Sequence, residues 1–184
     1  MMTKTVNLTF SKIEANDVSA VYDFLVGSTW DFHGPVVHSL ERVQKRFDKG
    51  FYESDDVKSF WIETDRQKIG MIRLFDLGNV ESRETPLFDL RVATAFRGLG
   101  IGSKAVAFLT RFVFENYPNK NRIEATTRID NKAMRGALAH CGYVKEAHYR
   151  QAWKTESGYM DCIAYGMLKS DWERGCCTIV DWES

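Results

Sequence analysis

Three glycines at alternate positions, Gly98, Gly100 and Gly102, lie between a predicted strand at 87–94 and a predicted helix at 104–116. Glycine lets backbone N–H groups approach a ligand without a Cβ in the way. The start of the helix adds N–H groups that have no partner within the helix, together with the positive end of the helix dipole. The arrangement therefore predicts an anion site, most naturally one for phosphate or pyrophosphate.

Two common phosphate-binding motifs do not fit this turn. A P-loop ends in Gly-Lys-Ser/Thr, whereas Gly102 is followed by Ser103 and Lys104. A dinucleotide-binding fingerprint spaces its glycines as GxGxxG near the start of a domain, whereas the spacing here is GxGxG in the middle of the chain. Taken alone, the three glycines also leave open a turn that has no chemical role.

A longer pattern is more specific than the glycines. Val92 is followed, after four residues, by the run 97–102 (Arg-Gly-Leu-Gly-Ile-Gly) and then by a helix. Downstream, Asn131 precedes a short predicted helix that ends at the Gly-Tyr pair 142–143. These two motifs resemble the acetyl-CoA signature and the second motif of the GNAT superfamily of N-acetyltransferases, and the resemblance covers residues 8–172.

The resemblance implies a fold and an activity. The fold is an α/β (α+β) domain with a mixed, mostly antiparallel central sheet, one splayed parallel pair of strands and helices on both faces. The activity is direct transfer of the acetyl group of acetyl-CoA to a primary amine, either a protein N-terminus or a small-molecule amine. The end of the domain is most similar to the branch that contains the ribosomal-protein N-terminal acetyltransferases.

Two other functions remain open at this point. The same fold could hold acyl-CoA as a regulatory ligand without turnover, since a fold does not fix a function. A dinucleotide-dependent oxidoreductase is disfavoured by the glycine spacing. Among acceptors, peptide N-termini, polyamines, antibiotics and other small amines are all compatible with the sequence.

The resemblance also implies which residues contact acetyl-CoA. The main chain of the central strand would bind the pantetheine arm, the glycine turn would bind the pyrophosphate, and Asn131 would bind the arm near the sulfur. Asn is equally a favoured N-cap residue, so a purely structural role for Asn131 stays open. The expected cofactor-binding residues are Leu90, Val92, Arg97, Gly98, Leu99, Gly100, Ile101, Gly102, Ser103 and Asn131.

The acceptor amine must lose a proton before it can react. An amine like that of lysine is neutral in only about one part in a thousand at pH 7. A carboxylate can remove the proton directly or through water. The candidate catalytic residues are Asp89, Glu124 and Glu146, and each is also compatible with a solvated or ion-paired surface group.

The group that protonates the leaving thiolate is less clear. Many members of the superfamily have Tyr seven residues after the motif Asn, and Leu138 stands at that position here. Tyr143, Tyr149, Tyr165 or a water could substitute, or the thiolate could leave unassisted. The departure affects the choice of acid and leaves the cofactor assignment unchanged.

An aromatic segment between the first two predicted helices supplies candidates for the acceptor wall. In the superfamily this region commonly forms one side of the acceptor site, which implies that Trp30, Phe32 and His33 bind substrate. The alternative is that these aromatic side chains anchor a loop to the core.

The rest of the chain must position these groups. Hydrophobic periodicity predicts helices at 18–26, 40–49, 104–116 and 132–141, and strands at 6–13, 57–64, 68–77, 87–94, 122–128, 144–153 and 160–168. Strands 87–94 and 122–128, joined through a helix, would form a right-handed parallel βαβ unit. Ligands of such units bind beyond the carboxyl ends of the strands, where the glycine turn lies.

Composition sets broad limits. The 184 residues, 44% hydrophobic and 27% charged, predict one domain at 8–172 and a loosely held tail at 173–184. With 25 basic and 25 acidic residues the net charge is zero, which argues against a nucleic-acid partner. We expect a cytoplasmic protein with no membrane partner, because no apolar run resembles a signal or a span. The four cysteines and four histidines form no metal-binding pattern. The superfamily resemblance makes a homodimer an open expectation.

Overall fold

The computed structural model describes residues 7–34, 39–65, 67–78 and 85–182. The α-helices in these ranges are α1 (Val18–Val26), α2 (Leu40–Asp48), α3 (Ile101–Asn116), α4 (Lys132–His140) and α5 (Lys169–Arg174). The strands are β1 (Thr9–Lys12), β2 (Lys58–Thr64), β3 (Gln67–Phe75), β4 (Leu87–Val92), β5 (Arg122–Arg128), β6 (Val144–Thr155) and β7 (Gly158–Leu168). The predicted elements are confirmed with small changes at their ends; residue 6 lies outside the described residues.

Helix α3 begins three residues earlier than predicted. Gly100 is its N-cap residue and has a left-handed backbone, with φ 74°. Glycine has a low helix propensity, so a sequence pattern gives little sign that Gly102 belongs to the helix. The end of the glycine turn therefore forms the first turn of the helix, and its N–H groups point along the helix axis.

The strands form two antiparallel sheets that meet at β4 and β5. The first sheet has the order β1-β2-β3-β4 and the second the order β5-β7-β6. The N–H of Glu124 donates to the carbonyl of Pro86 at 3.0 Å, which joins the two strands where both begin. Because α3 returns the chain to that end, β4 and β5 run parallel, and the hydrogen-bonded ladder does not continue between them. The predicted mixed sheet with a splayed parallel pair is confirmed.

Helices cover both faces of the first sheet. Alternate residues of β2 divide between two apolar clusters: Ile62 packs with α3, whereas Trp61 packs with Val21 of α1 and Val43 of α2. Side chains alternate across a strand, and the same division continues into β4. There Leu90 packs in the cluster that contains α3. We call the α3–α4 side the cofactor face and the α1–α2 side the acceptor face, after the ligands that the sequence leads us to expect on each side.

Part of the tail predicted at 173–184 is attached to the end of helix α5. Residues 173–174 belong to α5, and the buried carboxylate of Asp171 binds the chain that follows the helix. Asp171 accepts hydrogen bonds from Thr178 N at 2.9 Å and from Thr178 Oγ1 at 2.6 Å. A side chain that caps a helix end in this way binds residues outside the helix. The hydrophobic pattern of the helix therefore does not reveal the contact.

Candidate active site

The glycine turn leaves a group of backbone donors facing outward. Gly98 and Gly100 have φ 77° and 74°, a conformation that residues with a side chain rarely adopt. Gly102 has a different role, since a Cβ there would lie 3.7 Å from the Cβ of Ala137, where α3 approaches α4. In the described part of the chain, the N–H groups of 101–103 have no acceptor. They lie where the sequence predicts an anion site, at the start of a helix.

The main chain of β4 presents donors to the gap between the sheets. Ala93 N donates to Ile69 O at 2.9 Å, so alternate residues of β4 bond to β3. The N–H and C=O groups of Leu90 and Val92 therefore point the other way, toward β5. Their carbonyls accept from His33 Nε2 at 3.1 Å and Arg97 Nε at 3.0 Å, respectively, which leaves the two N–H groups facing the gap.

A cavity of about 580 Å³ runs through this gap from one face to the other. On the cofactor face it is lined by the glycine turn and by α4, and on the acceptor face by the loop 31–34 and Trp153. The predicted site residues that line it are Phe32, His33, Asp89, Leu90, Val92, Arg97, Gly98, Gly100, Ile101, Gly102, Ser103 and Asn131. The predicted residues outside the lining are Trp30, Leu99, Glu124 and Glu146.

Arg97 faces the acceptor loop, although the sequence predicts a phosphate contact. Its Nη2 donates to the carbonyl of Thr29, and its Nη1 lies 4.0 Å from a carboxylate oxygen of Asp31. Together with its bond to the carbonyl of Val92, these contacts tie the loop to the end of β4. The charge of Arg97 is thus partly matched before any phosphate arrives.

Asn131 is both an N-cap and part of the cavity lining. Its Oδ1 accepts from Met134 N at 3.2 Å, and its Nδ2 donates to Thr127 Oγ1 at 3.1 Å. The amide keeps a second N–H that these contacts do not use. Asn131 therefore does cap helix α4, and this structural role still leaves one amide N–H for the cavity.

A histidine and a carboxylate form the polar centre of the acceptor face. His33 Nε2 lies 3.1 Å from Asp89 Oδ1, and Arg91 donates to Asp89 Oδ2 from Nη2 at 3.0 Å. Burial opposes ionisation of Asp89, but the hydrogen bond from His33 and the charge of Arg91 outweigh it and lower its pKa to about 2. Asp89 therefore stays ionised at neutral pH.

The two other candidate carboxylates lie away from the cavity. Arg122 Nη2 binds Glu146 at 2.6 Å and Glu124 at 3.4 Å. This triad lies at the start of β5, where the two sheets are still joined through Pro86. The gap opens toward the other end of β5, so neither glutamate is near the open part.

The aromatic residues of the acceptor loop separate into two roles. Trp30 is only 7% exposed, and its Nε1 donates to Leu25 O at 2.7 Å. It anchors the loop, as the structural alternative expected, and its ring contacts that of His33 edge-on. Phe32 lines the cavity, and the guanidinium of Arg128 lies 4.9 Å from its ring centre.

Arg128 is a site residue that the sequence interpretation missed. It donates from Nη1 to Asp31 O at 2.8 Å and forms an ion pair with Asp130. Arg97 and Arg128 thus attach the acceptor loop to the ends of β4 and β5, respectively. The predicted end of the strand at 128 was the only sequence signal, and it does not indicate a partner 97 residues away.

Trp153 was missed as well, because a strand irregularity brings it to the cavity. Tyr149 and Trp153 lie four positions apart on β6, whereas their partners on β7, Cys162 and Met160, lie two positions apart. Within this bulge Gln151 has φ 52°, and its N–H donates to Asp161 Oδ1 at 2.8 Å. Bulges of this kind redirect side chains at functional sites.

None of the tyrosines considered as leaving-group acids lines the cavity. Tyr143 is buried and shares a 2.8 Å hydrogen bond with Thr110, and burial raises its pKa far above the usual range. Tyr165 accepts from Arg135 Nε at 3.3 Å, and Tyr149 is half exposed on β6. Leu138, at the position where many members of the superfamily have Tyr, is fully buried.

The geometry can now be compared with known proteins. The family model described as the Acetyltransferase (GNAT) domain matches residues 7–144. This chain belongs to the GNAT acetyltransferase family. The GNAT assignment makes the protein an N-acetyltransferase.

Individual GNAT relatives are more distant. The "SPbeta prophage-derived uncharacterized N-acetyltransferase YokL" of Bacillus subtilis (strain 168) is 24% identical over 172 residues, covering 91% of this chain and 93% of that protein. The "Putative ribosomal N-acetyltransferase YdaF" of the same organism is 27% identical over 104 residues, covering 56% and 55%.

Solved structures share the fold. A mutant form of the spermidine/spermine N-acetyltransferase SpeG from Vibrio cholerae superimposes with a TM-score of 0.75 at 18% identity, covering 92% of this chain and 99% of that one. A dodecameric structure of spermidine N-acetyltransferase from the same organism gives a TM-score of 0.74 at 16% identity, covering 90% and 95%.

Among the residues that the structure describes, no helix is long and apolar enough to cross a membrane. Within the same ranges, no group of three or more His, Cys, Asp or Glu side chains is arranged to hold a metal ion.

Proposed function

We propose that the protein transfers the acetyl group of acetyl-CoA to an acceptor with a single primary amine. The observation that carries the proposal is the cavity through the sheet, with backbone donors on one face and the His33–Asp89 pair on the other. The two substrates would enter from opposite faces and meet between β4 and β5. Such positioning converts a bimolecular reaction into an effectively intramolecular one.

The donors on the cofactor face fit acetyl-CoA. The free N–H groups of 101–103 suit a pyrophosphate, and the N–H groups of Leu90 and Val92 suit the amide carbonyls of a pantetheine arm lying along β4. Asn131 has one N–H left for the same arm. When bound, acetyl-CoA supplies an acetyl group activated as a thioester.

The charges on the acceptor face favour an acceptor with one cationic group. Among the residues that the structure describes, Asp31 and Asp89 are the carboxylates in the cavity lining, and arginines already lie beside both: Arg97 near Asp31 and Arg91 at Asp89. A polyamine would need several unmatched carboxylates. SpeG is named for spermidine and spermine and YdaF for a ribosomal acceptor; the charge balance here supports an acceptor of the second kind, a peptide N-terminus, or a small monoamine.

The aromatic walls extend this proposal to the group beside the amine. Phe32 and Trp153 both line the acceptor side of the cavity. Aromatic faces attract ammonium groups and pack against apolar substituents. We therefore expect better acceptors to carry an apolar or aromatic group next to the amine.

Of the three carboxylates predicted as bases, Asp89 is the one we retain at the reaction centre. Glu124 and Glu146 share Arg122 outside the cavity lining, and we propose that they stabilise the second sheet. Asp89 is held ionised by His33 and Arg91, so it is a weak proton acceptor. Its charge would instead attract the acceptor cation and orient His33. We keep the homodimer as a prediction, which light scattering on the purified protein would measure.

The experiment is thiol release from acetyl-CoA with a panel of acceptors at neutral pH. Peptides with a free N-terminus and an apolar first residue, arylalkylamines, spermidine and amino acids form the panel, with N-acetylated peptides as matched controls. We expect release with monoamines and none with blocked peptides. Release with spermidine alone would contradict the acceptor class, and no release together with no thermal stabilisation by acetyl-CoA would contradict the whole proposal.

A further inference from the structure

The acceptor loop, residues 28–34, joins the two sheets across the open end of the gap. On the β4 side, His33 Nε2 lies 3.1 Å from the carbonyl of Leu90. On the β5 side, Asp31 O accepts a hydrogen bond at 2.8 Å from Nη1 of Arg128, the last residue of that strand. In the part of the chain that the structure describes, no hydrogen-bonded ladder joins β4 to β5. The loop therefore bridges the acceptor side of the cavity, and Arg128 attaches it to the second sheet.

The guanidinium of Arg128 is held in one orientation. Its Nε donates to Asp130 Oδ1 at 3.0 Å, and its Nη2 donates to Asp130 Oδ2 at 2.5 Å. Paired hydrogen bonds of this kind between a guanidinium and a carboxylate fix the relative geometry of both groups. The Arg128 side chain is only 15% exposed, so water competes little for these contacts. Asp130 thus directs Nη1 of Arg128 toward the loop.

The same guanidinium contacts an aromatic wall of the cavity. Cζ of Arg128 lies 4.9 Å from the centre of the Phe32 ring, within the range of a cation–π interaction. Phe32 lines the cavity, whereas Arg128 lies outside the lining. Arg128 therefore holds the backbone of Asp31 and the ring of the next residue together, and it can affect an acceptor only through these two contacts.

We propose that Arg128 is a positioning residue that sets acceptor selectivity by holding Phe32 at the cavity. The inference rests on the proposed acetyl transfer and identifies what makes its acceptor side selective. An apolar or aromatic group beside the amine gains most from packing against Phe32 when that ring has a fixed position. A ring that moves with a detached loop would favour such a group less over a hydrogen atom.

Two substitutions separate the charge of Arg128 from its geometry. Arg128→Met keeps an unbranched stem and removes the charge and every N–H donor. Arg128→Lys keeps the charge, but an ammonium lacks the planar set of donors that binds Asp130 at two points and the Asp31 carbonyl at a third. We expect both variants to release the loop, because the proposal depends on the geometry of the guanidinium.

Arg122→Met is the matched control. Arg122 lies at the other end of β5, outside the cavity lining, and forms ion pairs with two glutamates. This variant also removes an ion-paired arginine from the same strand, but it leaves the acceptor loop attached. It therefore reports what a loss of stability alone does to the kinetics.

The test compares kcat/KM of thiol release for two peptides that differ only in their first residue, Phe or Gly. We expect wild type to prefer the Phe peptide, and both Arg128 variants to reduce that preference about tenfold, the scale of losing one apolar contact in a pocket. The KM for acetyl-CoA should stay unchanged, and Arg122→Met should keep the wild-type preference.

A double-mutant cycle tests whether Arg128 acts through Phe32. In a Phe32→Ala background, Arg128→Met should reduce the preference no further, because the two side chains act as one unit. Hydrogen exchange measures the attachment without any acceptor. Peptides from 28–34 should exchange faster in Arg128→Met than in wild type and at the wild-type rate in Arg122→Met.

Several results would overturn the inference. The wild-type preference in both Arg128 variants, or an equal loss toward both peptides, would show that Arg128 does not set selectivity. A full further loss in the Phe32→Ala background would show that it does not act through that ring, and unchanged exchange that it does not hold the loop. If wild type released no thiol with any acceptor, the proposed function would fail and the selectivity role with it, while the exchange rates would still decide whether Arg128 holds the loop.

Discussion

The cofactor face and the acceptor face of the split sheet are built in different ways. Most donors on the cofactor face are backbone groups of one short stretch, from β4 through the turn to the start of α3, and the Asn131 amide is the side-chain donor that we add to them. The acceptor face is built from side chains far apart in the chain: His33 meets Asp89, and Arg128 meets Asp31, across 97 residues in the second case. A backbone site tolerates sequence change, whereas a side-chain site does not. The acceptor is therefore decided on the second face.

The largest expected effect is on the cofactor face. Gly100→Val places a β-branched residue at φ 74°, which costs about 1–2 kcal/mol and distorts the first turn of α3. The N–H groups of 101–103 would then no longer converge. We expect the KM for acetyl-CoA to rise about tenfold or more in steady-state kinetics, with the KM for the acceptor unchanged.

Gly136→Ala is the matched control for this variant. Gly136 lies within α4, and a Cβ there would have no atom within 4 Å. We expect it to stabilise the protein by about 0.5–1 kcal/mol without changing either KM. A Gly100→Val protein that binds acetyl-CoA as wild type does would show that the backbone conformation of the turn is not what binds the cofactor.

The next largest effect is on the acceptor face. Trp153→Ala removes an aromatic wall from the cavity, and we expect the acceptor KM to rise about tenfold while the acetyl-CoA KM stays the same. Tyr159→Ala, on the same hairpin but 61% exposed and outside the cavity, is the control and should leave both constants unchanged. If Trp153→Ala raised the KM for acetyl-CoA as much as the KM for the acceptor, the two faces would not bind the two substrates separately.

The bulge that places Trp153 at the cavity provides a second test, with a smaller expected effect, of the role of this side chain in acceptor binding. Asp161 accepts from Gln151 N at 2.8 Å and from His148 Nε2 at 2.7 Å. The hydrogen bonds from Gln151 and His148 lower the pKa of Asp161. We expect Asp161→Asn to raise the acceptor KM about two- to fivefold, because it weakens the bulge while Trp153 remains.

The same contrast explains how much the sequence could predict. The turn at Gly98–Gly102 was identifiable because its glycines, strand and helix are consecutive, and local patterns report local structure. Asp89 and His33 were named as candidates, but their contact depends on how a loop folds onto β4 from 56 residues away. Only Asp89, of the three carboxylates, lines the cavity.

The sequence did not predict the residues whose positions depend on irregular backbone geometry. Trp153 faces the cavity because β6 contains a bulge, and no glycine or proline marks that bulge. Glu124 was a reasonable candidate because it lies on β5, but its neighbour Arg122 and the Pro86 contact fix it at the closed end of the gap. Strand alternation gives the face of a residue, and it does not give the place where two strands separate.

A smaller effect concerns stability. The pKa of Asp89 is about 2 when folded and 3.8 in the unfolded chain, so its ionised form stabilises the fold by about 2 kcal/mol above pH 4. Because the folded pKa is the lower one, this contribution is lost as the pH falls from about 4 to 2. We expect Asp89→Asn to be less stable than wild type by about that amount at pH 7.

Urea unfolding at pH 7, 4 and 3 measures this difference. The difference in unfolding free energy between wild type and Asp89→Asn should be smaller at pH 3 than at pH 7. The control is Asp31→Asn: its carboxylate is 67% exposed, and the substitution should change stability by less than about 0.5 kcal/mol. An equal difference in unfolding free energy at pH 3 and pH 7 would mean that the shape of Asp89, and not its charge, stabilises the fold.

The smallest expected effect tests whether a side chain on the cofactor face matters for chemistry at all. Tyr143→Phe removes a buried hydroxyl bonded to Thr110, whose own hydroxyl still donates to Val106 O at 2.8 Å. The expected cost is about 1 kcal/mol in urea unfolding, with kcat unchanged because Tyr143 does not line the cavity. Thr110→Val is the control, since it disrupts the same pair from the other side. If kcat fell for Tyr143→Phe and not for Thr110→Val, Tyr143 would be the acid for the leaving thiolate, and a second side chain besides Asn131 would act on the cofactor face.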